Sequence, residues 1–555
     1  MKTLLASLNA KYIHTSLALR WLYVVNKDKF DISFREFTIK EELEIIVKEI
    51  LKTNCDILGL SVSIWNVAKS KDLCSILKKQ NPKLIIILGG PEVSYEPDFF
   101  IKNWDINYVV SGEGEFVLGD LLTSIQINEN IYIPAVSSKE KISKEVAKAN
   151  IEKLVDFPSP YQLEIDKKDL KNRLVYFETS RGCPYQCQYC LSSLESGVRY
   201  FPKEYIAENL KYIINTDAKQ VKFLDRTFNL NKAHTNFVFD FLLKNYRPNL
   251  SFQFEVYADL LTDETIDFLN KNTPEKYFRF EIGIQSTHEA TNIAIKRKQD
   301  FSLLEKNVTN LIKGGRIDLH LDLIAGLPYE SFELFVKSFN EVFKLGAKEI
   351  QLGFLKMLRG TALRNNADKY EYKYDENPPY QIISNKFLSK IELERIHDAE
   401  HALEKFWNSG RFPNTMKHLM SKEYKNLYFE LFDEIASFYN KNNLPHFAYQ
   451  LEDLFSYFNS FLESKNIDAK NSLRDDYYSN FSARPSSFWC NILDKKEKKK
   501  KLNEISLDFD FLNKNKLTKQ IIENKTAIYP LENGKFLLSI FENKKMQQIE
   551  WEGSK

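Results

Sequence analysis

Three cysteines within residues 181–190 constrain this chain more than anything else in it. In RGCPYQCQYC, Cys183, Cys187 and Cys190 follow a C-x3-C-x2-C spacing directly behind residues 174–179, a run that reads as a strand. A four-iron cluster ordinarily takes four cysteine ligands, so three on one loop leave one iron with a position for something else. A closed zinc site needs a fourth ligand, commonly from a second cysteine pair. The remaining cysteines, Cys55, Cys74 and Cys490, form no such pair. A thioredoxin-like pair of Cys187 and Cys190 leaves Cys183 without a use. Ligand count therefore favours an open iron-sulfur site.

Strand and helix patterns alternate on both sides of this loop. Upstream, strand-like runs at residues 3–8, 32–37, 57–62, 84–88 and 108–110 alternate with helical patterns such as 42–52 and 67–79, which argues a parallel sheet covered on both faces. Ligands of such sheets bind beyond the carboxyl ends of the strands. Ser61, then Gly89, Gly90, Pro91 and Glu92, then Gly112 and Glu113 fall at those ends. Glycine lets backbone come close to a flat ligand, and helix starts offer free N–H groups. A charged stretch at residues 137–156, followed by Pro158-Ser159-Pro160, reads as a linker.

Six further strand-like runs, at residues 174–179, 221–225, 252–257, 278–283, 319–324 and 349–354, suggest a partial barrel shorter than the eight-unit form. Chemistry in such barrels collects at the carboxyl ends of the strands. Asp225 and Arg226 follow the second run, Glu255 and Tyr257 lie on the third, and Glu281, Gln285 and Ser286 mark the fourth. His320 and Asp322 lie on the fifth and Lys356 follows the sixth. A barrel interior is ordinarily filled by branched apolar residues, so this polarity reads as a site, with Glu255, Tyr257 and Asp322 as candidate catalytic residues. Two plainer readings stand beside it. Glu255 and Asp322 pair with Arg279 or Lys356, since buried charges persist only when paired, and Asp225 caps a helix.

The cysteine loop resembles the signature of the radical S-adenosylmethionine (SAM) superfamily. That resemblance implies a [4Fe-4S] cluster on Cys183, Cys187 and Cys190, with SAM chelated at the free iron and cleaved reductively to a 5'-deoxyadenosyl radical. Tyr189 matches the aromatic position near the adenine, and Asp225 lies where members bind the SAM amino group. FEIGIQS resembles the fourth-strand motif, so Glu281, Gln285 and Ser286 are implied to meet the SAM ribose or substrate. Arg297 in IKRKQD resembles the residue that pairs the SAM carboxylate. DLIAGLPYE resembles the fifth-strand motif and places Ile324 and Gly326 beside the adenine, and Arg359-Gly360-Thr361 resembles the sixth-strand end. The upstream sheet resembles the cobalamin-binding domain found before many radical SAM modules, with GGPE and SGEGE in matching order, and so implies cobalamin. The usual D-x-H-x-x-G motif is broken, because Tyr12 and Leu17 stand where aspartate and glycine belong. His14 is therefore read as a helix-start histidine contacting backbone rather than a cobalt ligand. Only Cys55 and Cys74 precede the loop, which argues against a tRNA methylthiotransferase with a second cluster.

Behind the barrel the chain turns to helical stretches rich in Phe, Tyr, Leu, Lys and Glu. His397 and His401 stand one turn apart, and HDAEH is read as an ordinary charged face for want of a third ligand. DKKEKKKK, residues 494–501, reads as a solvated linker rather than a nucleic-acid patch. Residues 527–529 and 536–541 around Asn533-Gly534 read as a hairpin. The region resembles the C-terminal domain of unknown function that accompanies certain cobalamin-domain radical SAM proteins, where it would cap the barrel or choose the substrate.

The expected architecture is α/β: a flavodoxin-like (Rossmann-type) parallel sheet at 1–140, a linker at 141–170, a partial TIM-type barrel at 171–385, and a mainly helical domain with a terminal hairpin at 386–555. A net charge of +2 gives no reason to invoke nucleic acid or an anionic membrane surface. Asn9, Lys11, His14 and Arg20 interrupt any apolar leader core, and no uninterrupted apolar run reaches spanning length. With three of six cysteines in one loop, a cytoplasmic location is expected. The family resemblance implies a radical enzyme that transfers a methyl group to an unactivated centre, acting on a small molecule or peptide with electrons from a flavodoxin or ferredoxin. Radical rearrangement or cyclisation is the alternative, and a SAM-binding sensor without turnover the other class.

Overall fold

The computed structural model describes residues 1–129, 131–195, 197–481, 493–531, 534–542 and 545–553. Cys490 and Asn533 lie outside them. The chain divides into two compact units, Met1–Leu393 and Glu394–Lys555.

The first unit opens with a sheet of β1 (Lys2–Asn9), β2 (Asp31–Thr38), β3 (Ile57–Ser61), β4 (Ile85–Gly89), β5 (Tyr108–Val110) and β6 (Val136–Ser137), in the order β2-β1-β3-β4-β5-β6. The first five are parallel and β6 runs antiparallel to β5. The order 2-1-3-4-5 is the flavodoxin-like winding. Burial on both faces explains the near-continuous apolar strands. Leu4, Leu58, Ile86 and Leu88 pack on one side of the sheet, and Leu5, Ile57 and Ile87 on the other.

The stretch behind β6 is laced into its neighbours. The backbones of Ala147 and Ser111 hydrogen-bond at 2.9 Å, Asp166 pairs with Arg20 at 2.6 Å, and the buried Tyr161 ring packs on Phe177 at 4.7 Å. Then β7 (Val175–Phe177) is followed by a small antiparallel pair, β8 (Ser180–Arg181) and β9 (Arg199–Tyr200), that frames the cysteine loop. The chain continues through β10 (Gln220–Phe223), β11 (Ser251–Glu255), β12 (Phe278–Gln285), β13 (Asp318–Ala325) and β14 (Glu349–Phe354). With β7 these make a six-stranded parallel sheet in sequence order, the expected partial barrel.

Alternation along β12 explains how the barrel holds polar groups. Phe278, Phe280, Ile282 and Ile284 are fully buried, and Phe278 and Phe280 stack on Phe239 of a covering helix. Arg279, Glu281, Gly283 and Gln285 take the other face, as the period of two requires. Register then sets Glu255 beside Glu281, Glu281 beside His320, and Gly283 beside Asp322.

Two short strands, β15 (Lys373–Tyr374) and β16 (Ile382–Ser384), precede the helix Lys390–Leu403 that leads into the second unit. Among its described residues that unit is mainly helical up to residue 525, and it ends in an antiparallel sheet of β17 (Thr526–Pro530), β18 (Phe536–Glu542) and β19 (Lys545–Trp551). The expected hairpin thus gains a third strand. The lysine run is not a linker either, because it forms the first turns of the helix Lys495–Leu507, capped by Asp494 and anchored by Leu502 and Ile505 in the core under this sheet. No helix among the described residues is long and apolar enough to cross a membrane.

Candidate active site

The cysteine loop leaves β8 through Gly182, whose φ of +90° favours glycine. A Cβ there would stand 2.1 Å from the carbonyl oxygen of Gly197, so the loop closes over its own return strand only with a bare backbone. Behind it, Asp225 at the end of β10 accepts from the backbone N–H of Thr179 (3.0 Å) and the Thr179 hydroxyl (2.6 Å), and also from the Ser180 hydroxyl. Burial pushes its carboxyl up to about 6, partly offset by these donors. Asp225 therefore ties down the root of the loop. It caps no helix and does not line the cavity.

That cavity, of about 240 Å³, opens at the carboxyl ends of the strands and is lined by Cys183, Cys187, Cys190, Tyr185, Tyr189, Arg226, Glu255, Tyr257, Glu281, Gly283, Gln285, Arg297 and Asp322. Nine of the ten residues expected to be catalytic, metal-ligating, SAM-carboxylate-binding or on the fourth strand thus share one wall, which unites five separate strand ends. Ser286 is the tenth. It is fully buried away from the cavity, with its hydroxyl on Glu330. Ile324 and Gly326 also lie off this wall. Gly326 sits against Ile382, its carbonyl taken by Tyr372 (3.0 Å) and Asn385 (2.9 Å).

Two features of the wall ask for a ligand. Arg297 is 7% exposed, donates to Tyr257 Oη (2.8 Å), Tyr189 Oη (3.4 Å), Gln299 Oε1 (3.2 Å) and the Gly283 carbonyl, and has no carboxylate within 4 Å among the described residues. A buried cation without a counter-charge is costly, so this guanidinium is poised for an anionic group. The same lining holds buried acceptors without a hydrogen-bond partner among the described residues, Gln285 Oε1 and Asp322 Oδ1. Asp322 Oδ1 lies 3.2 Å from His320 Nε2 without hydrogen-bond geometry. Burial first, then the charges of Glu281 and Glu255, push the Asp322 carboxyl up to about 8. Burial likewise raises Glu255, with Arg226 opposing it at 3.9 Å. Glu281 is committed to Lys222 at 2.8 Å.

The plainer pairing does not form. Arg279 is taken by Glu349 at 2.7 Å and reaches His320 at 3.0 Å, and Lys356 joins only a bridge to Gln381. Tyr185, which sequence reading passed over, stacks on Tyr257 at 4.4 Å and 7°. Its only signal was a place inside the cysteine loop.

Glu113 accepts from Ala149 N–H (2.7 Å) and pairs with Arg181 (3.2 Å) and Arg199, while Arg181 also reaches Glu115 (2.7 Å) and Glu178 (2.8 Å). Glu92, 4% exposed, is held by Arg359 at 3.2 Å and the Tyr380 hydroxyl. Both carboxylates thus bind the sheet domain to the barrel. His14 is also engaged, although with a side chain, not backbone: Nδ1 is 2.8 Å from Tyr176 Oη. What remains at the strand ends is bare backbone. Ser61 and Gly89 are register partners, and a Cβ on Gly89 would meet only the Val110 carbonyl at 3.8 Å. Gly90 and Gly112 have φ of +106° and +87° and press on Val62 and Ala147. Pro91 is exposed beside them. Trp65, 53% exposed, stands just past β3, and the buried Ser111 hydroxyl at the end of β5 lacks a partner. An open glycine edge, an exposed indole and an orphaned hydroxyl fit a large flat ligand.

Three family models match the chain in succession: the B12 binding domain at residues 4–122, the Radical SAM superfamily at 177–342, and the Protein of unknown function (DUF4080) at 368–551. The chain carries a B12-binding domain, a Radical SAM domain and a DUF4080 domain in that order. Cobalamin-dependent radical SAM methyltransferase TokK of Streptomyces tokunonensis is 26% identical to it over 318 residues, 53% of this chain and 46% of TokK. The 2-(S-pantetheinyl)-carbapenam-3-carboxylate methyltransferase of Streptantibioticus cattleyicolor is 28% identical over 194 residues, 32% of this chain and 28% of that enzyme. The chain spans less than half the length of these two relatives. In fold, the chain is similar to the cobalamin-dependent SAM radical enzyme OxsB with aqua-cobalamin bound, at a TM-score of 0.61 and 15% identity over 87% of this chain and 81% of OxsB. It is also similar to the radical SAM methyltransferase TsrM of Kitasatospora setae, at 0.57 and 15% over 68% of this chain and 79% of TsrM. The radical SAM domain implies a [4Fe-4S] cluster and SAM, and the B12-binding domain implies cobalamin. The three cysteines, the Arg297 guanidinium and the glycine edge suit each group in turn.

Proposed function

We propose that this chain is a cobalamin-dependent radical SAM methyltransferase acting on an unactivated centre of a small molecule or peptide. The observation that carries the reading is one cavity lined by three cysteines, a buried arginine with no carboxylate within 4 Å among the described residues, and carboxylate and amide oxygens without hydrogen-bond partners among them. When bound, the reduced cluster supplies the electron that cleaves SAM, and cobalamin supplies a transferable methyl group.

The chain's own residues do the positioning. Cys183, Cys187 and Cys190 hold the cluster. Arg297 takes the SAM carboxylate, and its Tyr257 and Tyr189 hydroxyl partners fix the fork against rotation. Tyr189 and Gln285 line the path of the nucleoside. Ser61, Gly89, Gly90 and Gly112 offer the edge on which cobalamin rests. Glu255 and Asp322 present two carboxyl groups to the substrate beside the Lys222-held Glu281, and the protonated form favoured at Asp322 makes it a hydrogen-bond donor near neutral pH. Such a wall favours a substrate bearing hydroxyl or amine groups. Electrons come from a flavodoxin or ferredoxin in a cytoplasmic setting.

Ring closure is the second reading, favoured by a 24% identity over 246 residues to the anaerobic magnesium-protoporphyrin IX monomethyl ester cyclase of Synechocystis sp.. Anaerobic incubation with dithionite, SAM and cobalamin tests the proposal. Wild type should form 5'-deoxyadenosine and Cys187→Ala should not. Methylation of an added nucleophilic or radical acceptor pool, traced with deuterated methyl SAM, separates transfer from cyclisation. No deoxyadenosine under any reduced condition would point to a SAM-binding sensor.

A further inference from the structure

The second unit carries a donor set that the barrel chemistry does not use. His397 and His401 lie one turn apart on the helix Lys390–Leu403, so they share a face, and their ring centroids are 4.5 Å apart. The sequence reading dismissed this face for want of a third ligand, and the structure supplies one. Glu400 brings a carboxylate oxygen to within 4.8 Å of a ring nitrogen on each histidine, and the histidine nitrogens are as close to one another. Its Oε2 is 4.0 Å from His401 Nε2. A further imidazole arrives from a different segment. His446, between the helices Tyr428–Lys441 and Leu451–Ser464, has its ring 5.5 Å from that of His401.

Order along the helix matters here. H-E-x-x-H places its glutamate beside the first histidine, whereas H-x-x-E-H places it beside the second. In this chain that brings the carboxylate onto the imidazole pair as a donor. The Lys405 ammonium lies 3.5 Å from His446 Nδ1. It sits in a π-helical turn, Glu404–Asn408, and its Nζ is also 5.3 Å from the Tyr439 ring, where it can remain by cation–π contact.

We propose that His397, Glu400 and His401, joined by His446, form a binding site for a divalent transition-metal ion of zinc or cobalt type, which clips residues 442–450 to the helix. Three imidazoles and one carboxylate make a four-donor set suited to tetrahedral zinc, closed rather than catalytic. Side-chain rotamers need to draw the three helix donors together by up to about 1.4 Å, and His446 farther, since zinc bonds of about 2.0–2.1 Å put neighbouring donors about 3.4 Å apart.

Zinc(II) titration of full-length, cluster-reconstituted protein tests this, with metal counted after gel filtration. Wild type and the surface control His418→Ala should retain one zinc per chain beyond the iron. His401→Ala, and the gentler Glu400→Gln, should weaken that binding at least tenfold with iron content and helicity unchanged. Because the cysteine loop also takes zinc, cobalt(II) serves as the second probe, expected to give ligand-field bands without a near-ultraviolet sulfur charge-transfer band. Zinc should also slow proteolysis at residues 442–450 in wild type alone. No zinc beyond the iron sites, full retention in both His401→Ala and Glu400→Gln, or a sulfur charge-transfer band for the bound cobalt would overturn the proposal.

Discussion

Arg297 concentrates the physics of the site in one side chain. Its planar fork is fixed by two tyrosine hydroxyls and a carbonyl, and no carboxylate within 4 Å among the described residues balances its charge. Lysine would keep the charge and lose the fork. Arg297→Lys is expected to weaken SAM binding to cluster-loaded protein by about 10- to 100-fold, roughly 1.4–2.8 kcal/mol, with iron content unchanged, as measured by equilibrium dialysis. Glu330 offers a pH test away from the cluster. It is 1% exposed, accepts from Ser286 and Ser338, and has a second oxygen with no partner. Burial pushes its carboxyl up to about 7, with the serine hydroxyls opposing. Between about pH 4.5 and pH 7 the folded protein keeps a proton that the unfolded chain releases, so this group lowers stability as pH rises through that window. Glu330→Gln should flatten that part of the urea-midpoint profile and gain about 1–3 kcal/mol at pH 8 relative to pH 4.5. The cysteines, Arg297 and the fourth-strand polar positions were legible from local pattern. Glu92 and Glu113 were not, because their partners Arg359 and Arg181 lie 267 and 68 residues away.

At the scale of elements, the cysteine loop is a short excursion held at three points. Gly182 permits the close crossing of Gly197, Asp225 pins the strand end, and Arg181 pairs three carboxylates. Gly182→Ala combines a disfavoured φ with a backbone collision and is expected to lower iron retained after reconstitution to less than half of the wild-type value, measured by iron analysis. Arg181→Ala strands Glu115 and Glu178 in the interior and should cost about 3–5 kcal/mol in chemical denaturation. Strand periodicity was readable along β12 because one face meets an aromatic layer and the other the cavity. The lysine-rich helix was not, since its apolar anchors, Leu502 and Ile505, come only after the charge run, and its partners in β18 and β19 are remote in sequence.

Across the first unit, the two glycine-bearing loops of the sheet domain and the two arginine-bearing ends of the barrel are fastened to each other. SGEGE grips the strand entering the cysteine loop, and GGPE grips Arg359 past β14. The carboxyl ends of both sheets are thereby built into one body. Cofactor sites on either side inherit a fixed separation, which suits chemistry shared between two groups. The account rests on a SAM molecule bound at the open iron of a three-cysteine cluster. The direct measurement is the electron paramagnetic resonance spectrum of the dithionite-reduced, anaerobic protein before and after SAM. A [4Fe-4S]+ signal whose g-values shift on SAM addition in wild type, and shift far less in Arg297→Ala at the same SAM concentration, is the predicted result. A reconstituted protein with bound zinc in place of iron, or a cluster signal indifferent to SAM, would contradict it.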